Sequence, residues 1–321
     1  MKCLSILAAF VALALLPFIL IGCSKDTGPT STTQLSADEQ AVQTSLAASD
    51  FALPMDFHND EQYQGQGVSG GISKYLFSQE DGETLPWVSF FRVIKFLPRT
   101  QYVIQIPGSG GEGTADVRII NYLRGVFVVD NTDDKVINPF LRAFVSRAVT
   151  NVIAQRIGDT WEIAKISPTD VRSENNGGTS IQFMWVSTEG SSNTFPMRVI
   201  FAPDTLFNLA ELPAFAPGDS VRVRARAFST NPDGCWLFLH VHGRRAPAVF
   251  HLRIPFVRDA SDPTLYDAVW VVPAGIEMPR VFFMAVDAIG LNTLFGDATA
   301  TYNSRMWCFP CLVGLPRTAS Q

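Results

Sequence analysis

Charge is scarce in this chain, and so is histidine. Asp, Glu, Lys and Arg together make up 17% of the residues, only four residues are histidine, and the net charge is −5. That balance excludes a general nucleic-acid binder, which needs an excess of basic residues. Long apolar runs are also scarce. Only one stretch, at the very start, approaches the length that spans a bilayer. Cysteine is limited to five residues, and none of the local motifs reads as a complete catalytic signature. What is plentiful is apolar sequence, 47% of the chain, so sizeable cores can form. A length of 321 residues suggests about two domains once a leader and linker are set aside.

The opening stretch carries the most specific information. Lys2 gives a positive start, Leu4 to Ile21 is nearly continuous apolar sequence, and Leu20-Ile21-Gly22-Cys23 closes it. A short basic region, an apolar core and a small residue before a cut are the marks of a secretory signal. The closing tetrapeptide resembles the lipobox of bacterial lipoproteins. That resemblance implies cleavage after Gly22 and lipidation of Cys23. Each buried CH2 contributes roughly 0.8 kcal/mol, and stable anchoring takes about two acyl chains or more. The competing readings are an uncleaved transmembrane helix and an ordinary secretory signal with a chance cysteine. Ser24 after the cysteine leans toward the outer membrane, reached after export through the Sec pathway. Residues 23–35 are rich in Ser, Thr, Gly and Pro and read as a flexible tether.

Two globular regions follow. Ser36-Ala37-Asp38-Glu39 is a capping box, so a helix is predicted over Ala37 to Ala48. A second helix is predicted over Leu85 to Leu97, with Pro86 in its first turn. Its polar residues Ser89, Arg92 and Lys95 would form one stripe on a buried helix. Strands are predicted at Gln101–Ile106, Ala115–Val129, Phe140–Arg156 and Trp161–Ile166. Two helices and a meander of long strands predict an α+β domain over 36–175, a curved antiparallel sheet around the helices. The element order and the Gly158-Asp159-x-Trp161 turn resemble the NTF2-like or cystatin-like group. That resemblance implies a cone-shaped sheet, either open as a ligand cavity or plugged by Trp87 and Phe90. Residues 176–315 show shorter strands with turns between them, which predicts a β-sandwich. Pro217-Gly218-Asp219, Tyr266-x-x-x-Trp270 and Asp287-x-x-Gly290 resemble bacterial immunoglobulin-like or fibronectin-like domains.

Several motifs bear on chemistry. Gly65 to Gly70 matches GxGxxG, and Gly67 to Gly71 matches GxSxG, but the preceding residues 59–64 are polar. Both motifs need an apolar strand there, so a glycine loop is the better reading. A hairpin pairing Gly243 with Ala248 would set His240 opposite His251 and His242 opposite Val249. Three of the four histidines, His240, His242 and His251, would then share an outward face able to take Zn or Cu. The alternative is a polar strand face with no special role. Trp307-Cys308-Phe309-Pro310-Cys311 resembles the thioredoxin motif, yet the chain ends ten residues later with no room for the following helix. One structural disulfide among Cys235, Cys308 and Cys311 is expected in an oxidising compartment. Arg222, Arg224 and Arg226 lie on one strand face and could meet an acidic partner or lipid headgroups. The Asp130 to Asp134 turn could hold calcium weakly. His58 with Asp56 and Asp60 could form a pocket dyad.

These readings converge on a lipid-anchored envelope protein, with the membrane as a partner through Cys23 and an envelope protein or surface ligand as another. The expected function is a non-enzymatic binding, adhesion or assembly module without a cofactor. The alternatives are a small-ligand binder or enzyme using a cavity in the first domain, and a metal-binding protein using the three histidines.

Overall fold

The computed structural model describes residues 35–51, 88–96, 99–107, 113–132, 138–174, 178–189, 198–200, 202–230, 234–243, 250–274, 276 and 280–314. Residues from Ala37 onward form one compact unit. Helix α1 (Ala37–Ala48) forms where the capping-box sequence places it. Val42 and Leu46, one turn apart, are its buried face, and the Ser45 hydroxyl donates to the Trp161 carbonyl. The second predicted helix is not a helix. Ser89–Ile94 is strand β1, paired antiparallel along its whole length. The three-residue spacing misled because Ser89 and Arg92, read as part of one polar stripe on a helix, are both buried in a strand. Aromatic and β-branched residues around them favour the pleated strand.

The expected α+β architecture is therefore corrected to a mostly β fold. Strands β2 (Arg99–Gln105), β3 (Thr114–Asp130), β4 (Phe140–Ile157), β5 (Thr160–Ile166) and β6 (Thr169–Ser173) follow β1. β3 and β4 form a long antiparallel ribbon in which buried and more exposed residues alternate along most of each strand. Gly125 lies where β1 crosses the ribbon. A Cβ there would collide with the Val93 carbonyl and the Phe144 ring.

The remaining strands are β7 (Thr179–Glu189), β8 (Arg198–Ile200), β9 (Phe207–Asn208), β10 (Ala214–Phe215), β11 (Ser220–Ser229), β12 (Cys235–Gly243), β13 (Phe250–Pro255), β14 (Val257–Arg258), β15 (Leu265–Val271), β16 (Arg280–Gly290) and β17 (Ser304–Val313). Helix α2 (Leu291–Phe295) follows β16. One sheet runs β1-β3-β4-β6-β17-β16-β12-β13, with β2, β5, β9 and β10 attached at its sides. A second sheet runs β14-β15-β11-β7-β8. The two sheets face each other where β7 and β11 meet β12, β16 and β17. The C-terminal strands thus make facing sheets, but one of these is part of the larger sheet rather than half of a separate immunoglobulin-like domain. β6 joins the two halves by pairing with β4 on one side and β17 on the other.

The large sheet curls until its first and last strands meet. Arg253 on β13 donates to the Phe90 carbonyl on β1 at 2.8 Å, and its guanidinium lies 4.4 Å from the Phe90 ring centroid. Two cores result. One fills the space between the sheets, with Val223, Leu239, Met284 and Phe309 among its members. The other fills the curl, where Phe90, Phe127, Phe144, Phe238 and Tyr302 pack ring against ring.

Candidate functional site

The inside of the curl holds charge as well as aromatic rings. Strand β1 carries Arg92 inward beside Phe90, and β16 carries Asp287 inward beside Ala285 and Ile289. The two meet at 2.6 Å, both with fully buried side chains. Arg92 Nε also donates to the Tyr302 hydroxyl at 2.9 Å. Ser304 Oγ donates to the other Asp287 oxygen at 2.7 Å. His240, from β12, sets Nε2 3.2 Å from Asp287 Oδ2 and is itself fully buried. The Arg92 guanidinium sits between the rings of Phe127 and Tyr302, 5.6 and 5.7 Å from their centroids.

The electrostatics follow from this packing. Burial by itself pushes the Asp287 carboxyl up. Arg92, His240 and Ser304 outweigh burial and hold it well below the usual carboxylate range. Burial raises the Tyr302 phenol, so it stays neutral and receives the Arg92 proton donor. A His–Asp pair with a nearby serine suggests a nucleophilic triad, but the connections differ. A triad needs the serine on the histidine, whereas Ser304 bonds to Asp287. With Arg92, Asp287 and His240 all fully buried, the cluster binds four strands together and offers no reacting atom to solvent. No known protein family, characterised protein or solved structure matches the chain. The site is therefore read on its own geometry.

The structure relocates the histidines. β12 and β13 pair two residues away from the predicted register, so His240 faces Arg253 and His242 faces His251. His240 and His242 still share one strand face, but that face points into the curl. β12 is a central strand covered on both sides, buried along its whole length, and has no outward face. No group of three or more metal-ligating side chains is found among the described residues.

The cysteines are also corrected. Cys235, Cys308 and Cys311 are all free and buried. Cys308 and Cys311 lie three apart on β17, so they point to opposite faces, Cys308 into the curl and Cys311 between the sheets. Three residues of strand span about 10 Å, beyond the reach of a disulfide. Cys235 pairs with Gly290 at the far end of β16 from Phe282, the partner of Cys311. Burial raises all three thiols, Cys235 to about 11, and the thioredoxin-like motif has no activated thiolate.

Arg224 and Arg226 lie on one face of β11, as expected, but they are committed locally. Arg224 grips Asp267 through Nε at 2.9 Å and Nη2 at 2.8 Å, and Arg226 pairs with Asp262 at 2.8 Å. Their guanidiniums stack on Trp185 and Phe183. Asp130 Oδ1 accepts from the Thr132 amide and hydroxyl, which closes its turn. Cys23, the Asp56–His58–Asp60 group and the Gly65–Gly71 motifs lie outside the described residues.

Sequence reasoning missed Arg92, Asp287, Arg253 and Arg142 as structural charges. Arg142 is buried and donates to four backbone carbonyls, those of Thr293, Gly296, Asp297 and Ala300, at 2.7–2.9 Å. A usable signal was present. Asp287 is the one charge inside the apolar run Val281–Ile289, and Arg92 is the one charge inside Phe90–Ile94. Single opposite charges in two apolar strands are an invitation to pair them, because a buried charge needs a partner.

Proposed function

We propose that this chain is a lipid-anchored protein of the bacterial cell envelope that works as a non-enzymatic binding or assembly module. The anchor reading rests on Leu20-Ile21-Gly22-Cys23 at the end of the apolar leader. The module reading rests chiefly on one observation. The space inside the curl is filled by Phe90 and its aromatic neighbours and locked by the Arg92–Asp287 pair, so the most reactive-looking residues hold the fold together. Ser24 favours the outer membrane as the address.

Labelling cells that make the full chain with radioactive palmitate tests the anchor. The wild-type chain takes up label and a Cys23→Ala chain does not. Equal labelling of both would overturn the anchor. Native mass spectrometry of the gently purified chain tests the module reading. The expected mass is that of the bare polypeptide with its acyl groups. A retained metal or small molecule would point to a binding site or enzyme instead.

A further inference from the structure

The outer face of the curled sheet is organised in rows by the strand register. Phe91, Val128 and Leu141 lie side by side on β1, β3 and β4, and Val93, Val126 and Ala143 form the next row. Leu141 is 60% exposed, and Phe96, just past β1, is 64% exposed. The following row changes character. Lys95 sits beside Arg124, its amide bonded to the Arg124 carbonyl at 3.1 Å. The next row crosses five strands, from β2 to β17, as Arg99, Tyr122, Arg147, Arg172 and Arg305.

Six cations thus occupy two neighbouring rows, on a chain whose net charge is −5. The carboxylates beside them are Asp170 and Glu174. Asp170 pairs with Arg172 at 2.6 Å and Arg305 at 3.0 Å. Among the described residues, the side chains of Lys95, Arg99, Arg124 and Arg147 make no ion pair or hydrogen bond. Like charges directly opposite on neighbouring strands are destabilising. Asp170 offsets Arg172 and Arg305, whereas Arg147 beside Arg172 costs stability unless something anionic covers it.

We propose that this face lies on the anionic headgroup surface of a lipid membrane. An apolar patch bordered by a basic band, with a tyrosine in the band, is the pattern of an interfacial membrane contact. Arginine suits phosphate because its planar fork donates two bonds at once. A soluble polyanion would use the band but has no need of the apolar rows. The tether fits as well, and here the inference rests on the anchored reading. The twelve residues from Ser24 to Leu35 reach at most about 40 Å, which keeps the body within contact of its own bilayer.

The test uses the chain from Ser24 to Gln321, which carries no acyl group, so vesicle binding reads the face alone while palmitate labelling reads the anchor alone. Co-sedimentation is measured with neutral phosphatidylcholine vesicles and with vesicles containing phosphatidylglycerol, at low and at high salt. Binding is expected only to the anionic vesicles and falls as salt rises. Lys95→Gln, Arg124→Gln and Arg147→Gln combined lower it on the order of 100-fold. Arg124→Lys with Arg147→Lys retains most of it, and Leu141→Asp weakens it with an unchanged unfolding midpoint. Equal binding to neutral vesicles, or an unaffected triple variant, overturns the proposal. Binding to a soluble sulfated polysaccharide but not to vesicles also overturns it, and makes the band a receptor for an anionic polymer.

Discussion

The two cores of this protein solve the same problem by different means. Between the sheets, apolar side chains from β7, β11 and β15 meet those from β12, β16 and β17, and no buried ion pair is found there among the described residues. Inside the curl, aromatic rings share the space with Arg92, Asp287, His240 and Arg253. The difference follows from closure. The inter-sheet core is walled by strands bonded to their neighbours. The curl has a seam between β1 and β13 with no strand ladder among the described residues. Side chains bridge that seam and its surroundings: Arg253 reaches the β1 backbone, and Arg92 ties β1 to β16. An apolar core needs only volume and pattern. A core with an open edge needs directional bonds, which long arginine side chains can supply.

Breaking the curl at its charge should give the largest effect. Arg92→Leu leaves the Asp287 carboxylate buried without its main partner and is expected to destabilise by about 3–5 kcal/mol in urea unfolding. Adding Asp287→Leu should recover a large part of that loss, because the unpaired charge goes with it. Acid tests the same contact. A depressed folded-state carboxyl contributes stability that is fully present above its ordinary value near 4 and is lost as pH falls below it. The urea midpoint should therefore drop between about pH 5 and pH 2, and an Asp287→Asn chain should show a shallower drop over that window. Arg142→Met removes donors from four carbonyls, one within α2 and three in the segment after it. A loss of about 2 kcal/mol is expected, with faster amide exchange across 291–300. The apolar core should respond least. Met284→Leu conserves volume and should cost under about 1.5 kcal/mol. A larger loss there than at Arg92 would reverse the comparison.

Strand existence was widely legible. Alternation in β3, β4, β11 and β15 placed them within a residue or two, because a half-buried strand must show polar and apolar residues in turn. The misreadings cluster where that signal fails. β1 looked helical because its buried Ser89 and Arg92 mimicked part of a polar helix stripe. β12 was given an outward histidine face because its two-sided burial is invisible in a run that contains histidines. β6 was missed altogether, since Thr169–Ser173 is short and polar. Its loss mattered most, because that strand joins what looked like two domains into one sheet.

The sequence by itself determined the local matters: helix α1 and most of the strands. These depend on residues near each other in the chain. Tertiary structure alone decided which strand neighbours which, which face of β12 and β16 turns inward, and that Arg92 meets Asp287 across 195 positions. It also decided that Arg99, Arg147, Arg172 and Arg305 line up in one row. Those facts depend on register between distant strands. A shift of one residue turns every side chain to the opposite face, and no local pattern records it.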